Sequence, residues 1–85
     1  MVHFVYAEVT IRNSKFINSH LDSIDADISE LVMDHCIIEG SGNDALDLMT
    51  TKATLKSMTI KNSVDKGISI GESSELTMSG STLMN

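Results

Sequence analysis

The residues best suited to chemistry recur at a single interval. His3, Asp25, Asp47 and Ser69 stand 22 residues apart, and Asp22, Asp44 and Lys66 keep the same interval just before them. Asp27 follows two residues after Asp25. If residues one interval apart are neighbours in space, five carboxylates gather on one face with only Lys66 close by. Two like charges about 5 Å apart repel by roughly 1 kcal/mol in water and several-fold more at an effective dielectric near 20. A cation, a raised carboxylate pKa or solvent must offset that repulsion. Hard cations take several oxygen ligands, so Asp25, Asp44 and Asp47 are candidate ligands for Ca2+. His3, Asp22, Asp25, Asp44, Asp47 and Lys66 are together a candidate surface for an acidic polysaccharide, and paired carboxylates can do general acid–base work on a sugar. The structural alternative is a solvated acidic face, because outward strand positions must be polar in any case. A hydrolase triad of His3, Asp25 and Ser69 is excluded: Ser69 is three intervals from His3, far beyond the roughly 3 Å contacts of a triad.

What positions these residues is a repeat. Residues 7–28 (AEVTIRNSKFINSHLDSIDADI) align with 29–50 (SELVMDHCIIEGSGNDALDLMT) and with 51–72 (TKATLKSMTIKNSVDKGISIGE). Residues 73–85 repeat the first half once more, with one extra residue near Ser73–Glu75, and 1–6 fit the end of a preceding unit. The chain therefore reads as one repeat domain over 1–85, with no linker. Apolar columns run through Val9, Leu31, Ala53 and Leu76, through Ile11, Met33, Leu55 and Met78, and through Phe16, Ile38, Ile60 and Leu83. Two more run through Val2, Ile24, Leu46 and Ile68 and through Phe4, Ala26, Leu48 and Ile70. Apolar and polar positions alternate within each unit, the period of a half-buried strand. Turn residues punctuate the segments at Asn13, His35, Ser57 and Gly80 and at Asn18, Gly40, Asn62 and Asn85. The sequence has no proline, as suits strands paired on both sides. The pattern predicts an all-β solenoid of about three and a half coils, 22–23 residues and three short strands per coil.

Outward columns support the same register. Arg12, Asp34 and Lys56 alternate in sign, as do Glu30, Lys52 and Glu75, while Glu39 meets Lys61 and Asp44 meets Lys66. Exposed pairs of this kind contribute only about 0.2–1 kcal/mol each, so they select register more than they stabilise.

Composition narrows the function. The chain of 85 residues carries a formal charge of −6, with six scattered basic residues, which argues against nucleic-acid partners. Its single cysteine, Cys36, excludes an intramolecular disulfide and a multi-cysteine zinc site. Cys36 falls in the inward column Ser14, Cys36, Met58 and Ser81 and reads as a buried small hydrophobe. His20 and His35 fall at turns, with no carboxylate column beside either. No apolar run approaches the roughly 18 residues of a membrane span, so no membrane partner is expected, and residues 1–8 are too polar for a signal peptide.

The segments VTIRNSKFIN, ATLKSMTIKN and DKGISIGESSELTMSGS resemble coils of the right-handed parallel β-helix superfamily, the pectate-lyase-like fold. SGNDALDLM followed by DKGISIGESS is similar to coils of bacterial surface and secreted β-helix proteins. The resemblance implies a right-handed coil and a secreted or cell-surface setting. Relatives bind, cleave or epimerise acidic polysaccharides, often with calcium, or serve as structural spikes and adhesins. No lyase or epimerase signature matches, so no catalytic residue carries over. Complete members have more coils and a capping helix, which makes a fragment of a longer β-helix one expectation. The other is self-association: a solenoid cannot bury its end faces alone. Open strand edges and apolar layers at both ends point to a homodimer stacking like ends about a two-fold axis, or to a higher homo-oligomer. The sequence thus favours a non-catalytic structural or recognition module over a carbohydrate-active or calcium-dependent polysaccharide-binding protein using the Asp25/Asp47 face.

Overall fold

Short alternating segments bounded by residues that tolerate left-handed backbone form strands, and a 22-residue recurrence stacks them. The computed structural model describes residues 1–84; Asn85, placed above in a turn column, lies outside the described residues. The strands are, in chain order, β1 (Val2–Val5), β2 (Glu8–Arg12), β3 (Lys15–Ile17), β4 (Ile24–Asp27), β5 (Glu30–Asp34) and β6 (Ile37–Glu39). They continue as β7 (Leu46–Met49), β8 (Lys52–Lys56), β9 (Thr59–Lys61), β10 (Ile68–Ile70), β11 (Glu75–Ser79) and β12 (Thr82–Met84). Three parallel four-stranded sheets result, ordered β1-β4-β7-β10, β2-β5-β8-β11 and β3-β6-β9-β12. The chain visits the three sheets in turn and returns one rung further on, making a right-handed β-solenoid of about four turns, slightly more than the three and a half expected.

The register agrees with the repeat alignment residue by residue. Val9, Leu31, Ala53 and Leu76 are successive partners, as are Arg12, Asp34 and Lys56. The extra residue of the last coil enters between Ile70, still paired 22 residues back with Leu48, and Ser73, whose backbone repeats that of Thr50. Inward columns fill the core. Ile24, Leu31, Met33, Ile38, Leu46, Leu48, Leu55, Met58 and Ile60 are fully buried in the two middle rungs. Each such side chain contributes roughly 1.5–3 kcal/mol relative to exposure. The end-rung residues of the same columns, among them Phe4, Phe16, Ile68 and Met78, are only partly buried.

Three corner columns carry the bends. Asn13, His35, Ser57 and Gly80 all have φ between 52° and 59°, and Asn18, Gly40 and Asn62 lie between 56° and 71°. These are the punctuation columns of the sequence. The third column, Tyr6, Ile28, Thr50 and Ser73, also sits at φ of 50–54° although its residue types give no such signal. Beside it runs a hydroxyl ladder. Ala7 N–H donates to Ser29 Oγ, Ser29 N–H to Thr51 Oγ1 and Thr51 N–H to Ser74 Oγ, at 3.0–3.3 Å. These bonds satisfy backbone donors at the corner that no strand partner reaches.

Candidate functional site

The acidic face is built by the first sheet and the turn leading into it. Strands β1, β4, β7 and β10 align His3, Asp25, Asp47 and Ser69 as successive neighbours, pointing away from the core because they alternate with its apolar columns. Asp22 and Asp44 do not lie on that exposed surface. Both are buried, at 8% and 5% exposure. The reason is backbone chemistry: Asp22 Oδ1 accepts the Asp44 N–H at 3.0 Å, and Asp44 Oδ1 accepts the Lys66 N–H at 3.1 Å. Each aspartate folds inward to satisfy the turn one rung on. Lys66 uses its backbone in this ladder, while its exposed ammonium pairs with Asp65 at 3.3 Å. The positive charge expected among the carboxylates is thus turned toward a neighbour in the turn.

The carboxylates divide into two groups. Ligand atoms of Asp22, Asp44 and Asp47 lie within 4.8 Å of one another, and those of His3, Asp25 and Asp27 do likewise. Asp25, grouped by sequence with Asp44 and Asp47, stands with His3. The imidazole Nε2 of His3 lies 2.6 Å from Asp27 Oδ2 and 3.9 Å from Asp25 Oδ2. Asp27 lies outside the His3 column, whose partner on β4 is Asp25. It is the diagonal neighbour of His3 across the β1–β4 pair, and side chains two residues apart on one strand share a face.

Electrostatics follow this division. Partial burial, then the Asp22, Asp25 and Asp44 carboxylates and a hydrogen bond with Asp22, push the Asp47 carboxyl up to about 6. Burial and the neighbouring Asp27 raise Asp25, against the lowering influence of His3. The hydrogen bond to Asp27 raises His3 above its ordinary value, opposed by burial and aided by the Asp25 charge. Around pH 6 and below, the Asp47 carboxyl therefore holds a proton, and the Asp27 and Asp25 carboxylates favour the charged form of the His3 imidazole. Three oxygens within reach of one another also form a geometry that a hard cation accepts.

Other sequence assignments resolve simply. His35 has no carboxylate column beside it but meets its neighbour in sequence: its Nδ1 lies 2.7 Å from Asp34 Oδ1. Of the four opposite-charge alignments, Glu39–Lys61 reaches ion-pair distance among the described residues, at 3.8 Å. Cys36 is buried, its thiol 3.4 Å from the Asp34 carbonyl. Away from the acidic face, an open groove of about 530 Å³ runs along the corner between the first two sheets, lined by Tyr6, Glu8, Ile28, Glu30, Thr50 and Lys52 among others.

No curated protein and no solved structure matches the chain at a significant level. The family described as right handed beta helix region matches residues 2–85, nearly the whole chain. That match agrees with the parallel three-sheet coil and its inward apolar columns, and the chain belongs to the right-handed β-helix family.

Proposed function

We propose that this chain is a non-catalytic structural or recognition module that self-associates through the end faces of its coil stack. One observation carries this reading. Among the described residues, the strands of the first rung (β1–β3) and of the last (β10–β12) each have a partner on one side only, over apolar layers that are only partly covered. Unprotected parallel edges above an apolar layer are a template for further strands. Light scattering after gel filtration is the test. Species heavier than the 9.2 kDa chain are expected at micromolar concentration, and a monomer throughout removes the proposal.

A second reading rests on the acidic face: a calcium site used toward an acidic polysaccharide. Its support is the approach of Asp22, Asp44 and Asp47 within 4.8 Å together with the raised Asp47 pKa, the signature of carboxylates short of a counter-charge. Ligands that bind only the folded state raise its melting temperature by mass action. A rise of several degrees in excess calcium over EDTA, abolished by Asp47→Asn, supports this reading; superimposable melts remove it.

A further inference from the structure

We infer that copies of this chain add head-to-tail, the last coil of one receiving the first coil of the next in the parallel register that joins coils within the chain. This rests on the self-association reading above and names its geometry. The backbone supplies the first argument. Ile24 and Leu46 N–H donate toward the next rung, to the Ala45 and Gly67 carbonyls, both at 3.1 Å. The equivalent donor on the last rung is Ile68 N–H. In the other direction, Glu30 and Ile37 N–H donate back to the Ala7 and Ser14 carbonyls, and their first-rung equivalents are Glu8 and Lys15 N–H. An end-to-end stack pairs these outward donors with the carbonyls at the same repeat positions, on all three sheets at once.

Side-chain shape gives the second argument. Continuing the columns seats Phe4 of the incoming copy on Ile70 and Phe16 on Leu83, the same columns that already stack within the chain. Both phenylalanines of the sequence lie on the first coil. The last coil presents a hollow of about 490 Å³ lined by Gly67, Ile68, Ile70, Leu76, Met78 and Leu83. The bulkiest apolar side chains therefore face an apolar recess beside a residue with no side chain.

Handedness gives the third. Turning one copy over about a two-fold axis reverses the direction in which the three sheets follow one another. Only one sheet can then meet itself, the other two must exchange, and every strand pair becomes antiparallel. Translation along the axis keeps all three sheets, their lengths and their columns. It also sets Arg12 of the incoming copy beside Ser79 and Lys15 beside Thr82, with Glu8 against Glu75 as its one like-charge contact, comparable to the Glu8–Glu30 neighbours already present inside the chain. Four rungs about 4.8 Å apart fit the shortest extent, 17 Å, as the stack axis, so a cross-section of 27 × 24 Å bounds the flat contact at about 1,300 Å² over both partners, the size of a small specific interface. Such a heterologous contact does not close and builds a filament of graded length.

Lys15 and Thr82 are exposed members of one column and become neighbours across the junction. Adjacent parallel rungs about 4.8 Å apart suit disulfide geometry. Reduced Lys15→Cys and Thr82→Cys chains, each checked for wild-type circular dichroism, are oxidised in air both alone and as an equimolar mixture. The mixture is expected to form a disulfide-linked heterodimer about tenfold or more in excess of either variant alone, because docking raises the effective concentration of the pair. The double variant is expected to give a ladder of dimers, trimers and longer species. Homodimers of one single variant, with no gain on mixing, overturn the head-to-tail geometry while leaving self-association in place. Wild-type chain that scatters as a monomer at every concentration overturns both.

Discussion

The aspartate ladder shows how one residue type takes two roles a few ångströms apart. Asp22 and Asp44 are held inside by the backbone N–H groups of Asp44 and Lys66, whereas Asp47 remains part-exposed and accumulates their repulsion. The consequence for stability has a definite sign. Asp47 binds its proton more tightly folded, at about 6, than at its ordinary value of 3.8. Its stabilising protonated form is fully present below the unfolded value and is lost as pH rises through the folded one. Asp25 and His3, both raised, act in the same direction. In metal-free buffer, the melting temperature is expected to climb as pH falls from 7.5 toward 5, and Asp47→Asn to flatten that climb. At pH 7 the variant gains roughly 1 kcal/mol, allowing for screening of a part-exposed group, and the Asn amide can still donate to Asp22. A melt series across that range checks both. Ser63 offers a second residue-level test. Ser23 Oγ bonds to Ser19 and Ser41, but its equivalents one and two rungs on are Ala45 and Gly67, so the buried Ser63 Oγ has no partner among the described residues. Ser63→Ala removes an unsatisfied hydroxyl and is expected to raise stability by about 1 kcal/mol in urea unfolding.

Corners rather than strands carry the local strain. Ile28 is β-branched and 44% exposed, yet its φ is +50°, a region that disfavours such side chains by roughly 1–2 kcal/mol. Ile28→Asn keeps the corner with a residue that tolerates it, and is expected to stabilise by about 0.5–1 kcal/mol in chemical denaturation. Gly42 shows the opposite constraint. A Cβ there would stand 1.9 Å from the His20 carbonyl oxygen, where the turns of successive rungs press together and Gly42 N–H donates to Ser19 at 2.7 Å. Gly42→Ala must part those turns and lose that bond, so a loss of at least about 2 kcal/mol is expected, read from the midpoint of the same unfolding curve.

At the scale of the whole molecule, the two middle rungs hold the fully buried core while the outer rungs are half covered. A stack whose end faces are closed by another copy is stabilised by mass action. The melting temperature is therefore expected to rise with protein concentration, by a few degrees across a hundredfold range, and differential scanning calorimetry over that range checks it. Nearest-neighbour stacking also means that damage propagates along the axis. Leu55→Ala, at the fully buried centre of the second sheet, is expected to cost about 2–5 kcal/mol, far more than truncation of Leu83 on the open last rung.

Strand order, register and the inward columns were legible in the amino-acid sequence, because a 22-residue recurrence places the same physical demand at the same position four times over. The alignment of His3, Asp25, Asp47 and Ser69 followed from that register. So did two corner columns, since Asn and Gly advertise left-handed backbone at Asn13, Asn18, Gly40 and Gly80. The third corner was invisible, because Tyr6, Ile28 and Thr50 are forced into that conformation by the stack rather than inclined to it. Only the tertiary structure decided which carboxylates turn inward. A column states which residues are neighbours, but whether Asp22 meets solvent or the Asp44 N–H depends on where the turn above leaves a donor unpaired. The same holds for the division of the acidic face into the His3 and Asp47 groups, which is settled by side-chain direction and by the diagonal reach of Asp27, neither of which a repeat alignment contains.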